Sequence, residues 1–163
     1  MTGSISRLSI KPRVPGEVGL PKQAVPSLEI GASGAAGDYN HYRHTKHPGD
    51  TEQALLLVTE DLLAQLNADG WPVQPGDLGE NLTLHDVPES ALRPGVRLGV
   101  GSTEIEVTKA CNPCDNLYQL PYVGRDKGPA FLKATVGRRG WYARVLNGGE
   151  IRTGASVVFT PAP

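Results

Sequence analysis

The residues best suited to chemistry in this chain are two cysteines in close succession, Cys111-Asn112-Pro113-Cys114. Thiolates are soft ligands, suited to zinc, copper, iron–sulfur or molybdenum, and their reactivity depends on nearby cations, of which Lys109 is one. A bridge between the two would close too small a loop to stabilise a fold much. In a reducing compartment the pair therefore reads as redox or metal chemistry, against two ordinary half-buried cysteines. A second group is His41, His44 and His47. On a helix they would share one side, but the polar segment Asp38–Asp50 is expected as a loop, where the spacing carries little geometry. Joined to the cysteines they would complete a tetrahedral Cys2His2 zinc site; otherwise they are solvated loop residues.

Two further segments could grip a ligand. In Pro75-Gly76-Asp77-Leu78-Gly79-Glu80-Asn81-Leu82-Thr83 the glycines let backbone approach closely, and Asn81 and Thr83 can donate hydrogen bonds. The alternative is a tight loop entering a strand. In Gly137-Arg138-Arg139-Gly140-Trp141 two arginines suit bidentate binding of phosphate or carboxylate, against a solvated charged turn. There is no Walker-type loop, no G-x-S-x-G elbow and no Rossmann fingerprint.

These groups need a frame, and composition points to its kind. The 163 residues carry 20 glycines and 14 prolines, with 39% apolar residues and a net charge of −1. So many helix breakers favour short strands joined by tight turns, and the charge balance argues against a nucleic-acid surface. The length suits one domain, spanning 1–163, with a core that needs no disulfide. No signal-like core and no membrane-length apolar run occur, so a cytoplasmic protein is expected, with no membrane partner. Strands are expected at Ser4–Ile10, Val25–Ile30, Gln53–Val58, Asn81–Leu84, Arg97–Val100, Thr103–Thr108, Tyr142–Leu146 and Val157–Phe159. The small-residue stretch Gly31–Gly37 reads as an irregular connection. Thr59 should cap a helix whose apolar face is Leu62, Leu63 and Leu66, ending at Gly70. Pro129–Thr135 reads as a short helix, and Gly148-Gly149 as a hairpin turn. The expected fold class is mainly β with a few helices (α+β), as a compact barrel of mixed, mostly antiparallel strands.

Taken in order, the segments resemble the MOSC family, named for the C-terminal domain of molybdenum-cofactor sulfurases. Gly19-Leu20-Pro21-Lys22 resembles its G-L-P-K, and Gly37-Asp38 with His41 its G-D-x-x-H. Gly76–Thr83 is similar to P-G-x-x-G-E-N-L/I-T. Leu98–Gly101 and Glu106-Val107-Thr108 resemble the strands preceding the family's P-C, here Pro113-Cys114. Gly140–Gly149 is similar to the closing G-x-Y/F-A-R-V-L-x-G-G. The likeness runs from about Gly19 to Phe159; Gly154-Ala155-Ser156-Val157 departs from the usual G-D-x-V, and Tyr39–His47 is richer in histidine than the family pattern.

The resemblance implies a MOSC-type barrel that binds the molybdenum cofactor (molybdopterin). Cys114 is then the catalytic thiol, as molybdenum ligand or sulfur carrier. Lys22, Arg138 and Arg139 are candidates for the anionic end, Asn81 and Thr83 for the pterin, and Asp38 and His41 complete the expected site. It also implies reduction of N-hydroxylated compounds, with electrons from a separate donor protein, or alternatively a non-catalytic carrier of the cofactor. No pyridoxal-phosphate lyase sequence precedes the domain in these residues, so pyridoxal phosphate is not expected.

Overall fold

The computed structural model describes residues 2–160. The alternating N-terminal segment forms β1 (Thr2–Ile10), with Ile5 and Leu8 turned inward and a bulge between Ile5 and Arg7. The expected Val25–Ile30 strand is instead two: β2 (Gln23–Val25) and β3 (Ser27–Gly31). Pro26 separates them, since it has no N–H to continue a ladder. Within the stretch expected to be irregular, β4 (Gly34–Ala35) pairs back onto β3.

The histidine segment also differs from the expected loop. It contains a short helix, α1 (His41–Lys46), capped by Asn40, whose side chain accepts from Arg43 N at 2.9 Å. The apolar run follows as β5 (Leu55–Thr59), buried at every position. It leads directly into α2 (Glu60–Ala68). Thr59 Oγ1 accepts from Leu62 N at 3.1 Å, and Glu60 and Asp61 occupy the first turn, where the helix dipole favours acids.

Then come β6 (Leu82–His85), β7 (Arg97–Val100) and β8 (Thr103–Ala110), the last alternating inward and outward from Thr103 to Thr108. The late helix α3 (Gly124–Thr135) starts earlier than expected and carries Pro129 within it. Three strands close the chain: β9 (Trp141–Asn147), β10 (Gly149–Arg152) and β11 (Ser156–Thr160).

Seven strands, in the order β11-β7-β8-β9-β5-β6-β1, form a barrel closed by pairing of β1 with β11. All neighbours in this ring are antiparallel except β5 and β6, which the α2 crossover makes parallel. The architecture is thus the mixed, mainly β barrel with few helices. Gly148-Gly149 does not form the expected hairpin, because β10 leaves the barrel and pairs with β3 in a separate sheet ordered β10-β3-β4. A Cβ on Gly148 would stand 2.5 Å from Ile30 O, so this approach of the two chains requires glycine.

The barrel interior is a single apolar cluster that includes Ile5, Leu57, Leu82, Leu98, Ile105 and Val157. A second cluster sits outside the barrel wall, where α2 and α3 bury Leu62, Leu66 and Phe131. Among the described residues, no helix is long and apolar enough to cross a membrane.

Candidate functional site

The C-terminal end of β8 shows how the fold presents the cysteines. The ladder with β9 continues to Ala110, opposite Trp141, and Cys111 N still donates to Gly140 O at 2.9 Å. Asn112-Pro113 then ends it, because Pro113 offers no donor and holds Asn112 away from helical geometry. Cys114 lies just past the break, where its carbonyl accepts from Leu117 N at 3.1 Å. Both thiols are free, but they differ in setting. Cys111 is buried against Leu56 and Tyr142, whereas Cys114 is half-buried.

Both face a cavity of roughly 210 Å³ between the Val18–Lys22 loop, the start of α1 and the end of β8. Its lining includes the side chains of Lys22, Lys109 and Arg139, together with His41 and His47. Among the described residues that line it there is no carboxylate. Lys109 has a distant partner in the half-buried Asp50, at 3.9 Å, an arrangement that contributes little.

Arg139 is the best-placed cation. It is buried; one guanidinium nitrogen donates to Leu78 O, while its Nε has no partner. A buried donor left unmade costs about 1–3 kcal/mol, so such an atom at a cavity wall marks a place for an acceptor. Beside it, Gly79 holds a φ of +86°. A Cβ there would meet Leu20 Cδ2 at 2.9 Å and lie 4.0 Å from Arg139 Nη2. Glycine is therefore what keeps this corner open.

Lys22 Nζ donates to Asp38 Oδ1 at 2.6 Å and to Tyr39 O at 3.1 Å. Burial lowers the Lys22 pKa below its ordinary value, against the opposing pull of Asp38. Asp38 is fully engaged: it also accepts from Lys11 N and, at 2.8 Å, from Asn81 Nδ2. Asn81 and Asp38 therefore stand one layer behind the cavity and hold Lys22 in place. Thr83 is further removed, its hydroxyl donating to Glu80 Oε2 at 3.3 Å. His41 reaches the cavity, its Nδ1 2.8 Å from the Tyr39 hydroxyl.

Arg138 does not join its neighbour. Its guanidinium bonds Ala134 O at the end of α3 and pairs with Asp69 at 2.6 Å, outside the cavity lining. The zinc alternative fails too, since among the described residues no three His, Cys, Asp or Glu side chains converge as a metal cluster.

Several residues of the site escaped sequence reasoning. Glu80 is wholly buried behind Lys22 and Arg139, and burial pushes its carboxyl above the usual carboxylate range. Tyr142, buried beside Cys111, has its phenol held protonated, first by burial and then by the neighbouring thiol. Gln53 lines the cavity from the approach to β5. Its only signal in the sequence was a polar residue opening an apolar run.

A model of the MOSC domain family matches residues 44–158. The chain belongs to the MOSC domain family. That family is associated generally with the molybdenum cofactor. The fold of this MOSC domain is similar to the crystal structure of the YuaD protein from Bacillus subtilis, with 20% identity and a TM-score of 0.78 over 96% of this chain and 94% of that one. It is also similar to YiiM from Geobacillus stearothermophilus, at 22% identity and a TM-score of 0.71, covering 98% and 75% of the two chains. YiiM from Escherichia coli shares 18% identity at a TM-score of 0.66, covering 99% and 70%. No curated protein matches the sequence significantly.

Proposed function

We propose that the cavity binds the molybdenum cofactor, with the Cys114 thiol as ligand to the metal or as carrier of a sulfur atom destined for it. The observation that carries this reading is the composition of the lining: two thiols, three cations and no carboxylate among the described residues. A soft donor suits molybdenum, and a phosphate-bearing ligand needs cationic donors at its other end. The unpartnered Arg139 Nε, the adjoining Lys22 ammonium and the opening kept by Gly79 fit such an anion. Arg138, by its position, has no part in it.

When bound, the cofactor would supply two-electron redox chemistry at a metal held by Cys114. The chain itself would do the rest. Reduction of an N–O bond consumes two electrons and two protons and releases water. The electrons would come from a separate donor protein and both protons from solvent, with His41 relaying them one at a time, its ring oriented by the Tyr39 hydroxyl. Tyr142, kept protonated, can donate a hydrogen bond near the sulfur atoms but does not give up its proton.

Metal and pterin analysis of freshly purified protein tests the reading. Molybdenum in one-to-one amount with a fluorescent pterin is expected; zinc alone would sink it. Cys114→Ala should abolish molybdenum retention with the fold intact, and if Cys111→Ala does so instead, the wrong thiol has been assigned. Turnover of amidoximes or N-hydroxylated purines with an artificial electron donor then separates an enzyme from a non-catalytic carrier.

A further inference from the structure

The cavity contains a second orphaned polar group, well apart in sequence from Arg139. Gln53 is 2% exposed and lines the cavity, and its side-chain Oε1 has no hydrogen-bond partner. The residue is rigidly held. It ends a short 3-10 turn (Thr51–Gln53) capped by Asp50, its backbone N donates to Asp50 O at 3.3 Å, and its carbonyl accepts from Arg43 at 3.2 Å. Next to it, Thr108 of β8 fixes Glu52 O at 2.6 Å. The backbone is thus tied to α1 and to β8 while the amide oxygen is left unmet. A buried acceptor in this state is costly, and proteins retain such costs chiefly where function uses them.

We infer that Gln53 is a specificity-determining residue that accepts a hydrogen bond from a ring or exocyclic N–H of a nitrogen-heterocyclic ligand. Oε1 can only accept, so the complementary group must donate. The cavity wall then holds three chemically distinct groups: the Gln53 amide, a thiol at Cys114, and the Arg139 guanidinium, with the unpartnered Oε1 and Nε atoms themselves closed off from solvent. The matching ligand is a flat, N–H-bearing heterocycle with an anionic substituent. This rests on the cavity being the cofactor site, and the N–H can belong to the cofactor's pterin or to a purine-like substrate.

Two probes distinguish these sources in the cofactor-free protein: pterin-6-carboxylate, followed by its fluorescence, and 6-hydroxylaminopurine, followed by calorimetry. Inorganic phosphate serves as a ligand without N–H. Gln53→Met preserves length and removes the acceptor; Gln53→Glu restores an acceptor oxygen. With Met, affinity for a recognised heterocycle should fall about tenfold, the worth of one buried hydrogen bond, while phosphate binding is unchanged. Glu should bind more tightly than Met.

Removing an orphaned acceptor should also raise the Tm of the ligand-free protein by about 2–4 °C, a readout independent of any ligand. Weakened pterin binding assigns the contact to the cofactor, and weakened purine binding alone assigns it to the substrate. Unchanged affinity for both probes with unchanged Tm means that an ordered water satisfies the amide, and overturns the inference. So does a wild type that binds neither probe, or an equal loss for phosphate. None of these outcomes depends on molybdenum retention by Cys114, so the two proposals fail separately.

Discussion

Replacing Asn81 by leucine should cost more stability than any other substitution of similar size around the cavity. Asn81 stands immediately before β6 and binds each neighbouring strand twice. Toward β5, its backbone N donates to Leu56 O at 2.9 Å while its side-chain Oδ1 accepts from Leu56 N at 3.1 Å. Toward β1, its backbone O accepts from Ser9 N at 2.9 Å while Nδ2 donates to Ser9 O at 3.2 Å. The amide therefore supplies one extra rung on each side of β6, and Nδ2 also reaches Asp38. Leucine removes three side-chain hydrogen bonds and strands Leu56 N and Ser9 O where water does not enter. At about 1 kcal/mol net per bond, plus the penalty for the orphaned amide, the loss is about 3–5 kcal/mol. In a domain of this size that lowers Tm by roughly 10 °C. The assay is denaturant unfolding, read as a lower midpoint at unchanged slope, with faster hydrogen exchange at the Leu56 amide. Asn81→Asp sharpens it: the Leu56 contact survives, but a carboxylate now faces Asp38 and Ser9 O. That variant should be at least as unstable at pH 7 and should recover part of the loss as pH falls and the carboxyl gains a proton. A cost for Asn81→Leu below about 1 kcal/mol would refute the double-clamp argument.

Three other expectations follow from the same geometry. Arg139→Met should abolish phosphate binding, whereas Arg138→Met should leave it unchanged and cost under about 1 kcal/mol, since its partner is a half-exposed ion pair; equal losses in a phosphate titration would contradict the assignment. Burial holds the Glu80 carboxyl above its usual 4.5, so the folded state keeps a proton that the unfolded chain has released. Stability should therefore fall as pH rises from 4.5 through the raised value, a slope that Glu80→Gln removes, as unfolding across that range would show. On the surface, the hydrogen bond to Glu60 and the nearby Asp86 raise the His85 pKa above 6.5; an NMR titration should find it there, and Glu60→Gln should bring it back down.

What was legible in the sequence tracks how local the cause was. Strand β8 declared itself by alternation, β5 by an unbroken apolar run, and α2 by Thr59 with two acids after it. The misses share a different cause. β4 and β10 are short and owe their strand geometry to β3, which is far from β10 in the chain, so no local pattern marks the pairing. The helix α1 buries no residue and so lacks an apolar stripe; its local marks are the cap, Asn40, and a histidine spacing that suits a loop equally well. At the site, Cys114 could be singled out by residue type and context, but Gln53 could not. An orphaned acceptor is a property of what surrounds it, and nothing in the sequence states what surrounds it.

The division of labour within the motif segments explains why some expected site residues reach the cavity and others do not. Lys22, Asp38 and Asn81 come from three separated segments and close into one buried chain, in which each polar atom is spent on the next. Such a chain fixes positions and leaves little to offer a ligand, except at the link that lines the cavity, the Lys22 ammonium. Arg138 and Arg139 diverge for a simpler reason: one turns back to the carbonyl that ends α3, and the other enters the wall leading to β9. The side chains left with unmet capacity at the cavity are Arg139 and Gln53, near the half-buried Cys114. They sit at the starts and ends of barrel strands whose register is set by residues behind them. A substitution in the buried chain should thus act on the cavity indirectly, by moving Lys22 and loosening the β1–β6–β5 edge, and its effect on ligand affinity should scale with its effect on stability. Substitutions at Cys114, Arg139 or Gln53 should break that proportion, changing affinity with little loss of fold, and this contrast separates the positioning layer from the residues that meet the ligand.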